Sequence, residues 1–134
     1  MAGISELRMR EEAIELADTA LAIGFRRIAR EHFKRQPPSA LEVEGAIAAI
    51  EDEIARVKPP RGTRLVTRDA VVREIALAAG VPPGPAMVLA REAVEQAFER
   101  ALRRPPDNER MAALLILREL VHHLDIECVE VQGS

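Results

Sequence analysis

Arg118, Glu119, His122, His123 and Asp125 fall within eight consecutive residues, the densest group of titratable and metal-ligating side chains in the sequence. On a helix, Glu119 lies beside both His122 and His123, and Arg118 lies beside His122. Glu-x-x-His is the pair that helical carboxylate-bridged metal sites use, because that spacing projects both ligands to one side. Glu119, His122 and His123 are therefore the candidate metal ligands, and Arg118 and Asp125 are candidate ligand-binding residues. Such sites need a second pair and further carboxylates. This chain holds one pair, so a two-fold dimer would have to supply the other. The same residues suit a plainer role. Histidines at a helix C-terminus favour the dipole and bond the last carbonyls, and a nearby Glu and Arg complete an ordinary surface network.

A basic strip of Lys58, Arg61, Arg64 and Arg68 leads into a helix expected to start near Thr67. Backbone amides and an arginine or two at a helix start can hold an anion, which makes Arg64, Thr67 and Arg68 the candidate anion-binding residues. Basic residues in an exposed loop also need no ligand. There is no Gly-x-x-x-x-Gly-Lys run and no Gly-x-Gly-x-x-Gly to cradle a nucleotide. Catalytic residues do not declare themselves. The serines are Ser5 near one terminus, Ser39 at a helix start and Ser134 at the end, so hydrolase machinery built on a serine is not expected. Cys128, set among valines, is expected to be a small core residue rather than a nucleophile. No cofactor is expected.

Residues 73–81, Arg-Glu-Ile-Ala-Leu-Ala-Ala-Gly-Val, resemble the first helix and turn of bacterial repressor helix-turn-helix units. That resemblance implies a DNA-binding regulator using residues 70–100, with a second helix reading base edges. The positions after the turn are Pro82-Pro83-Gly84-Pro85-Ala86-Met87-Val88-Leu89, where base-contacting Asn, Gln, Arg or Ser are wanted. The net charge of -3 supplies no general attraction to phosphate backbones. Nucleic acid is thus not the expected partner.

Four proline doublets, Pro37-Pro38, Pro59-Pro60, Pro82-Pro83 and Pro105-Pro106, divide the 134 residues into segments, since proline lacks the amide a helix interior needs. Leu7, Ile14, Leu21 and Ile28 recur every seven residues, which predicts a long first helix over 4–34 bearing a coiled-coil-like seam. Ser39-Ala40-Leu41-Glu42 matches a capping box and opens a helix over 39–58. Further helices are expected over 68–80, 85–104 and 108–124, the last containing the unbroken apolar run Met111–Leu117 that must be enclosed by protein. Residues 126–132 alternate as a strand, which must pair either with Leu65-Val66 or with a neighbouring subunit.

The expected fold is mainly α, with about five helices in one compact domain and a short C-terminal β-strand in a minor two-stranded or intersubunit sheet. Apolar content is 48%, but it is rich in alanine and only 2% of the residues are aromatic, so a homodimer is expected to complete the interior. A lone cysteine gives no disulfide framework. The opening residues lack a basic region followed by an apolar stretch, and no apolar run is long enough to span a membrane. These features lead to the expectation of a cytoplasmic homodimer with an interaction, scaffolding or regulatory role, possible contact with another protein, no membrane association and no evident catalysis. The alternative is a metal- or small-ligand-dependent enzyme or binding protein using the Glu119, His122 and His123 cluster.

Overall fold

Residues 4–21 form a β-meander rather than a helix. In the computed structural model, which describes residues 3–133, the order is β1 (Ile4–Met9), β2 (Ile14–Leu16), β3 (Thr19–Leu21), α1 (Phe25–His32), α2 (Ala40–Ile54), β4 (Arg64–Thr67), α3 (Ala70–Ala78), β5 (Ala86–Ala90), α4 (Arg91–Arg103), α5 (Asn108–His123) and β6 (Cys128–Gln132). Met1, Ala2 and Ser134 lie outside the described residues.

Alternation explains the first strand. Leu7 and Met9 are buried while Glu6 and Arg8, alternating with them, are exposed, a period of two. The seven-residue spacing has a different cause from a helical seam. Antiparallel pairing sets Leu7 opposite Leu16, Met9 opposite Ile14 and Ile14 opposite Leu21, so the same apolar residues meet across strands. Ala17 and Asp18 both have positive φ, 47° and 68°, as a two-residue hairpin turn between right-twisted strands requires. No glycine marks that turn in the sequence.

The six strands form one sheet in the order β3-β2-β1-β4-β6-β5. β1, β4 and β6 run parallel, and β2, β3 and β5 are antiparallel to their neighbours. The terminal strand is thus paired within the chain, with Leu65 opposite Val129 and Val66 opposite Glu130. The fold is α/β with a mixed sheet, not an all-helical bundle.

Both crossovers, β1 to β4 and β4 to β6, step across the sheet in the same direction. Right-handed connections therefore place their helices on one face. That face carries Leu7, Met9, Ile14, Leu16, Leu65, Met87, Leu89, Val129 and Val131, all buried. The alternate residues, among them Glu6, Arg8, Val66, Glu130, Gln132 and Val88, are exposed or half-buried, so the opposite face is open.

α5 occupies the middle of the helical layer and packs against α1, α2, α3 and α4. Every residue from Met111 to Leu117 is buried, as its continuous apolar run requires. α2 begins with the capping box: Ser39 Oγ accepts from the Glu42 amide at 3.1 Å, and the Glu42 carboxylate accepts from the Ser39 amide at 2.9 Å.

Three further expectations are corrected. The helix expected over 85–104 starts only at Arg91, because Ala86–Ala90 is a strand with Met87 and Leu89 in and Val88 out. An alternating five-residue apolar run fits a strand as well as a helix, and pairing with β6 decides it. The second helix of a helix-turn-helix over 70–100 consequently does not exist. Finally, Leu7, Leu21 and Ile28 are 1%, 0% and 1% exposed within the single chain, so the seam that supported a homodimer is spent internally.

Candidate functional site

Three parallel strands, β1, β4 and β6, present their carboxyl ends side by side. From β1 the chain turns outward into β2, while β4 lies on the other side of β1. The strand order therefore reverses between β1 and β4, the place where open α/β sheets bind ligands.

A groove of about 470 Å³ lies there, lined by Glu6, Leu7, Arg8, Arg10, Val66, Thr67, Arg68, Asp69 and Gln132. It continues past Arg10 and Asp69 into a second hollow of about 410 Å³, bordered by Ala70 and Val71 of α3, by Phe25 at the start of α1 and by Glu109 and Arg110 at the start of α5. The N-termini of three helices thus converge on one edge of the sheet.

The three termini differ in how their first amides are used. At α1 the backbone of the β1–β2 turn serves as the cap: Arg10 O accepts from the Phe25 amide, and Glu11 O accepts from the amides of Arg26 and Arg27. At α5 the Asp107 carboxylate accepts from the Arg110 amide at 2.9 Å. At α3 no side chain caps the first turn. The N-cap residue Asp69 turns its carboxylate away, accepting from the Met9 amide and from Thr67 Oγ1. Asp69 therefore ties the end of β1 to the end of β4 and leaves the α3 amides facing the hollow.

The groove's side chains carry both signs. Glu6 and Arg8 are paired at 2.6 Å, and this pairing raises the Arg8 guanidinium above its ordinary pKa. Arg10 and Arg68 line the groove and, among the described residues, neither has a carboxylate within ion-pair distance. Two unpaired guanidinium groups beside uncapped amides form a setting for an anion with several oxygens.

Of the expected anion-binding residues, Thr67 and Arg68 lie in this groove, and Arg64 does not. Arg64 stands at the opposite end of β4, where it pairs with Glu130 at 3.4 Å and lies opposite Cys128 in the register. The expected helix start near Thr67 falls at Ala70, with Thr67 Oγ1 accepting from the Asp69 amide at 3.1 Å.

The polar group at the end of α5 lies at the amino ends of the parallel strands, away from the groove, and it is divided. His122 turns to Glu95 of α4 at 2.9 Å, whereas His123 contacts Glu119 at 3.1 Å and Glu51 of α2 at 2.8 Å. Glu119, His122 and His123 therefore do not converge on one point. Arg118 is occupied by Glu95 at 2.9 Å and Glu119 at 3.0 Å, and its guanidinium lies 4.6 Å from the Phe98 ring centre. That guanidinium, together with His122, holds the Glu95 carboxyl below its usual range, while burial pushes Glu119 up. Asp125 is held low by Arg91 and Arg61, which bond it at 2.9 Å each. Arg118 and Asp125 thus serve pairs within the chain, and Asp125 also borders a hollow beside Arg61 and His123.

Glu6, Arg8 and Arg10 went unrecognised in the sequence because the first segment has a helical apolar spacing. The signal that could have found them is the strict alternation Glu6-Leu7-Arg8-Met9, broken by the charged stretch Arg10-Glu11-Glu12 and resumed by Ile14-Glu15-Leu16.

No protein-family model matches the sequence, and no curated protein matches it by sequence comparison. Solved structures match it by shape. A type II variant of the Aquifex aeolicus Ppx/GppA phosphatase superimposes with a TM-score of 0.76 at 18% identity, covering 97% of this chain and 53% of that one. Another study of the Aquifex aeolicus PPX-GPPA enzyme gives a TM-score of 0.73 at 19% identity, covering 97% and 54%. An exopolyphosphatase-like protein gives 0.71 at 16% identity, covering 98% and 55%. The chain spans about half the length of these structures. The expectation of a non-catalytic scaffold rested on an all-helical reading, and a fold shared with phosphatases removes that basis. What the comparison establishes is architecture: this chain has an α/β fold that also makes up about half of each of these chains.

Proposed function

We propose that this chain is a phosphatase-type enzyme domain that holds a polyphosphate chain in the groove at the carboxyl ends of β1, β4 and β6. The observation that carries the reading is the placement of Arg10, Arg68 and the uncapped start of α3 around one hollow, in a fold shared with exopolyphosphatase-like structures. In-line displacement at phosphorus needs positive charge against the phosphate oxygens and a carboxylate to orient water. Arg10, Arg68 and the amides of Ala70 and Val71 would supply the first. Glu6, exposed in the groove and held by Arg8 through one oxygen, is suited to the second, whereas Asp69 is engaged with Met9 and Thr67. A cytoplasmic location belongs to the same reading. It is supported by the buried, unpaired Cys128 and by the absence, among the described residues, of any helix long and apolar enough to cross a membrane.

The test is calorimetric titration with tripolyphosphate at low ionic strength, followed by a phosphate-release assay on polyphosphate. Binding is expected, weakened at least about tenfold in the Arg10→Ala/Arg68→Ala double variant, in keeping with the loss of two charge-assisted contacts. Glu6→Gln is expected to retain binding and lose phosphate release. Absence of binding, or equal affinity in the double variant, overturns the proposal.

A further inference from the structure

Glu51, Glu119 and His123 bring three ligand atoms from two helices to within 4.8 Å of one another, outside the groove and at the other end of the sheet. From this geometry we propose a zinc site that joins α2 to α5. The inference is independent of the phosphatase reading.

Zinc takes imidazole nitrogen and carboxylate oxygen at about 2.0–2.2 Å in a tetrahedron, so ligand atoms around it lie roughly 3.3 Å apart. His123 Nε2 is 2.8 Å from Glu51 Oε2 and 3.1 Å from Glu119 Oε1. These two contacts need to open by only a few tenths of an ångström to accept the ion, and the two carboxylate oxygens lie within 4.8 Å of each other. Glu119 is 3% exposed and its other oxygen is fixed by Arg118 Nη1 at 3.0 Å, which leaves Oε1 directed at His123. Partners of this kind orient ligands in many metal sites. The fourth position opens onto a hollow of about 380 Å³ lined by Glu51, Lys58, Arg61 and His123, with room for water. The nearby positive charges are Arg118, on Glu119, and Lys58 and Arg61 in the hollow, where Arg61 is already paired with Asp125.

The arrangement also differs from the Glu-x-x-His pattern visible in the sequence. The ligating pair on α5 is Glu119 and His123, four residues apart, and the third ligand comes from α2. His122 faces Glu95 and takes no part. Two helices far apart in sequence would thus be clamped by an ion, and zinc binding would contribute to folding stability directly.

The experiment is zinc titration of the metal-stripped full chain, read by calorimetry and by thermal unfolding, with cobalt substitution as a spectroscopic check. One zinc per chain is expected, with a Tm rise of several degrees and the visible absorption of tetrahedral cobalt. Glu51→Gln and His123→Ala are expected to weaken binding by about tenfold or more, and Arg118→Gln by roughly tenfold through loss of ligand orientation. His122→Ala serves as the control and should bind like the parent. Glu51 and His123 lie at the surface, so their variants should fold, which circular dichroism would verify. Absence of stoichiometric zinc overturns the proposal, as does unchanged affinity in folded His123→Ala or loss of binding confined to His122→Ala. A His123 ring held between two carboxylates, with no affinity for zinc, is the arrangement that such results would support.

Discussion

Gly24 shows how a single residue positions the candidate groove. Its φ of -87° is ordinary, so backbone freedom is not what glycine provides there. Proximity is. A Cβ at this position would lie 2.2 Å from Glu11 O, 2.3 Å from Glu11 C and 2.3 Å from Glu12 N. All three are backbone atoms of the β1–β2 turn, and none can swing aside as a side chain would. The turn must sit this close because its carbonyls cap α1. Gly24→Ala is therefore expected to separate the hairpin from α1 and to cost about 3 kcal/mol or more, at the upper end of overpacking penalties. Gly84 has no atom within 4 Å of a built Cβ and no positive φ, so Gly84→Ala should change stability by no more than about 0.5 kcal/mol. Urea unfolding of the two variants against the parent checks the contrast; equal midpoints would refute it.

Helices α4 and α5 are joined on their polar side by Glu95, which accepts from Arg118 and contacts His122. The Arg118 guanidinium holds the Glu95 carboxyl below its usual range, with His122 adding to the effect. A carboxyl depressed in the folded state contributes stability at pH values above its unfolded pKa and loses it as pH falls through the folded value. Glu95→Gln should thus be less stable than the parent at pH 7, and the gap should close on acidification below the ordinary carboxylate range. Glu119, which burial shifts in the opposite direction, is present in both proteins, so the difference between them reports on Glu95. A gap that persisted at low pH would show that packing, not charge, underlies the effect. Elements stabilised locally were the ones legible in the sequence. The Ser39–Glu42 box specifies the start of α2 through bonds three residues apart, and the run Met111–Leu117 can only be enclosed. Elements decided by distant pairing were not legible. Met87, Val88 and Leu89 become a strand because β6 lies beside them, and Leu7, Ile14 and Leu21 mimic a helical seam because strand pairing brings them together. The β4 side of the groove, Thr67 and Arg68, was legible, whereas Glu6, Arg8 and Arg10 were not, because the strand that carries or precedes them has a helical apolar spacing.

At the scale of the whole molecule, one core unites the meander, the helical layer and the parallel strands, and the sheet has two edges with unequal protection. β3 has three residues. β5 has five, carries no charge and exposes Val88 by 48%, the kind of edge that proteins usually blunt with lysine or proline. Its hydrogen-bonding pattern follows from register. Gly133 donates its amide to Pro85 O, so Met87 and Leu89, two and four residues on, bond to β6, while the amides of Ala86 and Val88 point outward. Hydrogen exchange should accordingly find the Met87 and Leu89 amides protected and those of Ala86 and Val88 exchanging fast in dilute solution. Equal protection along β5 at every concentration would contradict the register. Protection of Val88 that appears only as concentration rises would mark a second copy pairing along this edge. Leu7, Leu21 and Ile28 are enclosed by their own chain, so a homodimer would need a different surface; if the open side of β5 is that surface, Val88→Lys should abolish the concentration dependence without lowering the Tm.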